Sequence, residues 1–468
     1  MKLATLRRSA AIAALVVSIC SLSRAQTTDK VLLMNVQYAN QETPLFNAGT
    51  VESAWAAAVD DWEDYTYQQR TLTYFVKTAH VPRTRSEYLA LDNPMGVLFR
   101  DAIKSIPAAT IAEFGFHAIL HDLTSGNNGF PGQKMAYTAQ SMPFGILIQE
   151  FVHSLNVAHS NGWDSPTIAG SGEVVPRGYR FCLMAAANFG TSTNFNPRVK
   201  QYVGWLGSSE ILDVSQSGLH TIQASDSSTL SPSYPAALRI RGANNYNLWV
   251  EHRAQTLNEY TEEGALIFVG FNDWKYRNQV NLSDQQSLLL DMTPGSITEP
   301  PIQDFDDAPL QLGESWTAPN GVTIEVDSVS TGSPPTMTLD ITLPSGFVST
   351  IDEPNVVTLT APTGTTSELS ASSPYTFTAT ASDPDATGGG NGIQKVSFEF
   401  YNFSGLEPPF KTYEDTTAPY TCTVDFTDPT EWDTAQQDQG YIVVVRAKSD
   451  AAAGGHWNER GTCFMVDY

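Results

Sequence analysis

Cysteine is scarce in this chain, with four in 468 residues. That excludes the dense disulfide framework by which small secreted scaffolds replace a hydrophobic core. Basic residues are few as well: 26 Lys and Arg stand against 50 Asp and Glu, for a formal net charge of −24. Nucleic-acid binding needs a basic patch to neutralise phosphates, so that class of function is excluded, as is adsorption to anionic lipid. A large charge of one sign favours solubility and dispersal. Long apolar runs are also missing beyond the first 25 residues. No later stretch approaches the ~18 consecutive apolar residues of a spanning helix, so no membrane role is expected.

The start of the chain is the exception. Lys2, Arg7 and Arg8 precede an apolar run from Ala10 to Ile19 broken only by Ser18, and Ser23-Arg24-Ala25 offers small residues where a signal peptidase reads. This reads as a secretory signal over residues 1–25, with cleavage before Gln26 and a secreted, extracellular product. Removal of Cys20 with the signal leaves Cys182, Cys422 and Cys463. Cys422 and Cys463 lie in strand-like segments, and an oxidising compartment favours a disulfide between them, leaving Cys182 over.

The remaining length exceeds one core and points to two or three domains. Residues 26–207 mix strands and helices. Val31 to Tyr38, Arg70 to Lys77 and Phe116 to Leu120 read as strands. Val51, Ala54, Trp55, Ala58, Val59 and Trp62 recur at helical spacing, and Asn93 caps a second helix with Val97, Leu98, Ala102, Ile103 and Ile106 as its stripe. After Gly207 the helical period disappears, and short alternating runs predict an all-β region over 208–345. A seam follows at Pro344 to Pro354. Beyond it, runs at Val356, Tyr375, Ile393, Tyr420, Tyr441 and Thr462 predict a small β-sandwich over 355–468.

The chemistry concentrates between Pro143 and Trp163. Gln149 and His153 stand one helical turn apart, so both can aim at one ion. Glu150, next along, reaches a water on that ion. A turn near Asn156, a residue type that tolerates the left-handed conformation, brings His159 round as a third ligand. Three ligands with an open position is the arrangement of catalytic zinc, which lowers the pKa of its water to ~7. Glu150 is then the general base of a peptide hydrolysis.

This run resembles the metzincin signature His-Glu-x-x-His-x-x-Gly-x-x-His, with Gln149 for the first His and Asn156 for Gly. The Gln-Glu-x-x-His variant is similar to the gametolysin family of extracellular zinc endopeptidases. Cys182-Leu-Met184-Ala matches the Met-containing turn of that family, and Phe195 to Leu206 resembles the closing helix of gametolysin-like and immune-inhibitor-A-like peptidases. Leu289 to Ser296 and Ala308 to Val326 resemble the β-region that follows in those proteins. The resemblance implies an α+β chain: a metzincin-like catalytic domain, an all-β region, then an Ig-like β-sandwich. The last resembles bacterial Ig-like modules in Ala381 to Asp385, Lys395 to Tyr401, Thr416 to Tyr420 and Val445 to Asp450. It also implies Zn2+ as cofactor, Gln149, His153 and His159 as ligands, Glu150 as catalytic base and Met184 as the structural floor. Extracellular proteins or glycoproteins are the implied substrates, with a surface or matrix ligand for the sandwich. Ala186 stands where some metzincins carry an oxyanion-assisting Tyr, so that role is expected of Tyr179 or Tyr137. The alternative is a catalytically inactive adhesion or matrix protein that keeps the fold, which the neutral, weaker Gln149 donor favours.

Overall fold

The computed structural model describes residues 26–91, 94–123, 128–130, 134–138, 144–155, 157, 159–186, 194–241, 246–254, 263–271, 287–296, 305–347, 356–362, 368–370, 374–383, 392–402, 409–428, 432, 440–449 and 457–467. The expected signal segment, Asn93 and Asn156 lie outside these.

The first sheet is built on β1 (Thr27–Gln37), which pairs in parallel with β2 (Arg70–His80) and β3 (Phe116–His121). β5 (Lys134–Thr138) continues the parallel order, and β4 (Asn128–Phe130) closes the edge antiparallel to it. A parallel sheet buries both faces, which is why β1 carries four consecutive apolar residues, Val31 to Met34. Its alternate residues feed two cores. Val31 and Leu33 face one side, while Leu32, Met34 and Val36 face the other.

The first side receives α1 (Ala48–Tyr65), whose Val51, Trp55, Ala58 and Trp62 form the buried stripe that the sequence period predicts. The Asn47 side chain caps this helix by accepting from Gly49 and Thr50 N–H. The same side receives α5 (Phe144–Ser154). The second side is covered by α2 (Arg85–Leu89), α3 (Pro94–Lys104) and α4 (Ala108–Ile111), with Val97, Leu98 and Ala102 buried.

Two strands that follow α5, β6 (Asn161–Asp164) and β7 (Glu173–Pro176), leave the first sheet altogether. They join a seven-stranded sheet with β8 (Ile211–Asp213), β10 (Ala237–Arg241), β11 (Tyr246–His252), β12 (Ala265–Phe271) and β13 (Ser287–Leu290). β6 pairs in parallel with β13, Asn161 opposite Leu288. Between them in sequence lie the short helices α6 (Leu183–Ala186) and α7 (Pro197–Tyr202). The first core therefore runs on into Ile211, Trp249, Phe268 and Leu289, through the expected boundary at 207. The other face of this sheet packs on a four-stranded sheet of β9 (Gly218–Gln223), β14 (Ser315–Thr317), β15 (Thr323–Ser330) and β16 (Thr336–Thr342).

The C-terminal part is a two-sheet β-sandwich, as expected. One sheet holds β17 (Val356–Ala361), β19 (Tyr375–Ser382) and β22 (Tyr420–Val424). The other holds β18 (Glu368–Ser370), β20 (Ile393–Asn402), β21 (Lys411–Asp415), β23 (Gly440–Ser449) and β24 (Trp457–Asp467). Phe377 and Cys422 meet Phe398, Phe400, Val443 and Val445 in its core. Cys422 sits on one sheet and Cys463 on the other, and the Cys463 side chain lies outside what is described, as does any bond between them.

The sandwich does not hang free. Val444 and Tyr401 point away from its core and pack into the apolar cluster on the α3 side of the first sheet. Ser397, Glu399 and Arg446 share that outward face and are buried too. Arg446 Nε donates to Glu399 Oε2 at 2.7 Å, and Tyr401 OH donates to the same oxygen at 2.5 Å. Among the described residues, no helix is long and apolar enough to cross a membrane.

Candidate functional site

α5 is held from three sides before any chemistry is considered. Leu147, Ile148, Phe151 and Val152 are fully buried. The Phe151 ring lies 4.3 Å from Phe116 of β3 and 4.6 Å from Trp62 of α1, centroid to centroid, and Trp62 stacks edge-on to Trp205 at 5.0 Å. From β5, Tyr137 OH donates to the Leu147 carbonyl at 2.9 Å. The helix is thus fixed in rotation, and Gln149 and His153 share the face it leaves uncommitted.

His159 is brought to them by β6. Ser160 N–H donates to the Met184 carbonyl at 3.1 Å, tying the residue after His159 to the buried α6 segment. Behind it, Asn196 caps α7 by accepting from Val199 N–H at 3.0 Å. Its Nδ2 donates to Ser160 Oγ at 3.1 Å and Ser287 Oγ at 2.9 Å. One buried amide thus joins α7, β6 and β13 directly behind the histidine.

The two imidazoles converge. His153 Nε2 and His159 Nε2 are 3.1 Å apart, with the rings edge-on at 80°. His153 Nδ1 donates to the Val157 carbonyl at 2.7 Å, which fixes the tautomer and leaves its Nε2 with a lone pair. Burial drives the His153 pKa down to about 4, against the Val157 hydrogen bond and with help from the Arg177 charge. Burial, then His153, then Arg177 drive His159 down to about 2. Both rings are therefore neutral, the form that ligates metal.

Two imidazole nitrogens bound to one tetrahedral zinc at ~2.0–2.1 Å stand about 3.3 Å apart. The 3.1 Å observed is close to that, so the pair fits a common ion. Gln149 is buried at 5% exposure, one turn before His153 on the same helix face. Among the described residues no three His, Cys, Asp or Glu side chains form a metal-binding group. Glu150 is buried at 8% exposure, and its charge reaches the Tyr137 phenol, whose pKa burial has already raised.

Tyr137 and Tyr179 are both fully buried. The first donates to a helix carbonyl, and the second lies 3.4 Å from Asn196 Nδ2 behind the site. Neither hydroxyl can swing to a reacting carbonyl, which corrects the expected oxyanion role. Met184 is fully buried, and its carbonyl holds the residue next to His159. Cys182 is a buried free thiol, pushed up in pKa by that burial. His117 and His121 are packed residues: His117 Nε2 meets the Ile111 carbonyl at 3.3 Å, and burial lowers His121 to about 4. Nothing in the sequence marks Asn196, whose amide packs behind His159, since it falls outside the helical run.

No protein-family model matches the chain. No curated protein matches it either. Among solved structures, the fibronectin(III)-like modules of Clostridium thermocellum CbhA align with 33% of this chain and 87% of their own, at 18% identity and a TM-score of 0.19. Wild-type OgpA from Akkermansia muciniphila aligns with 94% of this chain and 93% of its own, at 8% identity and a TM-score of 0.28. Both scores are too low to assign a fold or an activity.

Proposed function

We propose that this protein is a secreted zinc-dependent endopeptidase of metzincin type, acting on extracellular proteins or glycoproteins. The observation that carries the reading is the convergence of His153 Nε2 and His159 Nε2 at 3.1 Å, both neutral, with His153 on the helix that carries Glu150. Gln149, His153 and His159 would hold the ion, which when bound polarises a carbonyl and acidifies water. The other roles belong to the chain. The Val157 carbonyl holds His153 in its ligating tautomer. Glu150 takes a proton from the attacking water and delivers it to the leaving amine, a contribution of roughly 10²–10⁴ in rate. The apolar packing of Phe151, Trp62 and Phe116 keeps the helix from rotating the three groups out of register.

Metal analysis of the purified protein, with a casein-type assay and a chelator control, tests the proposal. One zinc per chain and chelator-sensitive cleavage are expected. Glu150→Gln should keep the zinc and lose turnover, whereas His153→Ala should lose both. Zinc bound without cleavage of any protein would favour the second reading, an inactive adhesion or matrix protein, which the neutral Gln149 donor suggests.

A further inference from the structure

Two unfavourable features meet at one buried point. Lys200 of α7 is fully buried, although an apolar side chain of its length would fill the same volume without needing partners. Tyr67, which meets it, stands at φ +54°, and Gln68 after it at φ +60°. Both lie in the left-handed region that non-glycine residues enter only under constraint, and such strain collects where geometry serves a function.

Lys200 is bonded at every polar atom. Its Nζ donates to Tyr67 OH and to the Ser225 carbonyl, both at 2.8 Å, and lies 4.0 Å from the centre of the Tyr67 ring. Tyr67 OH donates in turn to the same carbonyl at 2.8 Å. Lys200 N–H donates to the Asn196 carbonyl at 3.1 Å, and its own carbonyl accepts from Trp205 N–H at 2.7 Å and Leu206 N–H at 3.1 Å. These bonds lead to both arms of the site. Asn196 Nδ2 reaches Ser160, the residue after His159, at 3.1 Å. Trp205 stacks on Trp62 and Trp62 on Phe151, which precedes His153 by two residues on α5. Tyr67 follows directly on Thr66, whose Oγ1 donates to the Trp62 carbonyl at 2.9 Å.

We propose that Lys200 is a positioning residue of the site, holding the His159 arm in register with the helix that carries His153, an inference that rests on the peptidase reading above. Hydrogen bonds are specific in length and direction, where an apolar contact tolerates sliding. With Lys200 clamped between Tyr67 and Ser225, α7 cannot shift along α1. Asn196 and the Ser160 hydroxyl therefore keep a fixed distance from Phe151. The two Nε2 atoms stand at 3.1 Å before an ion arrives, which then meets a donor pair already spaced for it.

Two variants test it on the full chain: Tyr67→Phe removes the phenol oxygen and keeps the ring, and Lys200→Met keeps the chain and removes the amine. Zinc affinity, read by competition with a chelator, should fall roughly tenfold in each, as on loss of a group that orients a metal ligand. The visible absorption of cobalt bound in place of zinc should shift, since the donor geometry has changed. Turnover should fall in kcat with KM little changed. A double-mutant cycle follows the path. Tyr67 and Ser160 have no hydrogen-bond partner in common, so independent losses would multiply. Zinc affinity in Tyr67→Phe combined with Ser160→Ala should instead fall by clearly less than that product. Losses that multiply would overturn the proposal. So would a lowered urea midpoint with zinc affinity and cobalt spectrum unchanged, because Lys200 would then serve stability alone. A wild type without zinc or turnover overturns the peptidase reading and this one with it, whereas unaltered zinc binding in both variants of an active enzyme overturns this one alone.

Discussion

Asn196→Ala should cost far more than an ordinary helix cap, because this amide does three jobs at once. Its Oδ1 accepts from Val199 N–H, and losing such a cap typically costs ~1 kcal/mol. Its Nδ2 donates to Ser160 and Ser287 Oγ in a fully buried setting, where stranding a polar group costs about 1–3 kcal/mol. Ser160 Oγ keeps its contact with Cys182 Sγ, so one stranded group, Ser287 Oγ, is the count used. The sum is roughly 2–4 kcal/mol, a factor of about 30 to 900 in the folding equilibrium. Asn196→Asp separates the parts, since it keeps the capping oxygen and loses the donor. Urea unfolding followed by the fluorescence of buried Trp62 and Trp205 gives the stability. Zinc titration with a competing chelator gives the site, since Ser160 follows His159. The alanine variant should lose both stability and zinc affinity. A stability loss no larger than ~1 kcal/mol, with zinc affinity unchanged, would refute the reasoning, because the cap alone would account for it.

Gln149→His should tighten zinc binding by roughly tenfold or more, imidazole being a stronger donor than a neutral amide; equal affinities in chelator competition would place Gln149 outside the coordination set. Lys200 is fully buried, donating to Tyr67 OH and the Ser225 carbonyl, and burial lowers its pKa to about 7. Between about pH 7 and the unfolded value near 10.4 the unfolded chain binds more protons, so this residue makes stability rise with pH by up to ~1.4 kcal/mol per unit. Lys200→Met should flatten that rise between about pH 7 and about pH 8.5, where the buried Cys182 thiol does not yet titrate; parallel urea midpoints in both proteins would count against it. Val444→Glu places a charge on the face where the sandwich packs against the α3-side cluster, and should free the sandwich, seen as new protease cleavage between residues 343 and 356. An unchanged digestion pattern would mean that this contact does not hold the two parts together.

The legible part of the site was the part with a period. Gln149, Glu150 and His153 fall on a helix because apolar residues flank them at helical spacing, and the Val51-to-Trp62 stripe marks what that helix packs against. β6 was not legible, because a parallel pairing with a strand more than a hundred residues away leaves no local mark. The outward face of β20 and β23 leaves no local mark of its burial either. Ser397, Glu399 and Arg446 alternate with apolar residues, a pattern that a half-exposed strand shows as well. They are buried because the charges satisfy one another against the first half of the chain. The tyrosines failed as oxyanion candidates on a matter of depth, which spacing does not encode.

The pairing of Asn161 with Leu288 has a consequence for timing. Closing a loop of that length carries an entropic cost that only later contacts repay, so such pairings form late in folding. A chain emerging from the ribosome exposes α5, with Gln149, Glu150 and His153, well before β13 exists to hold β6. Ser287, which anchors Asn196 behind His159, arrives with β13 as well. Until roughly the first 290 residues are free to fold together, the segment that carries His159 has no wall to lean on. The order of synthesis thus withholds a completed site from every shorter nascent chain, a delay that requires no inhibitory segment.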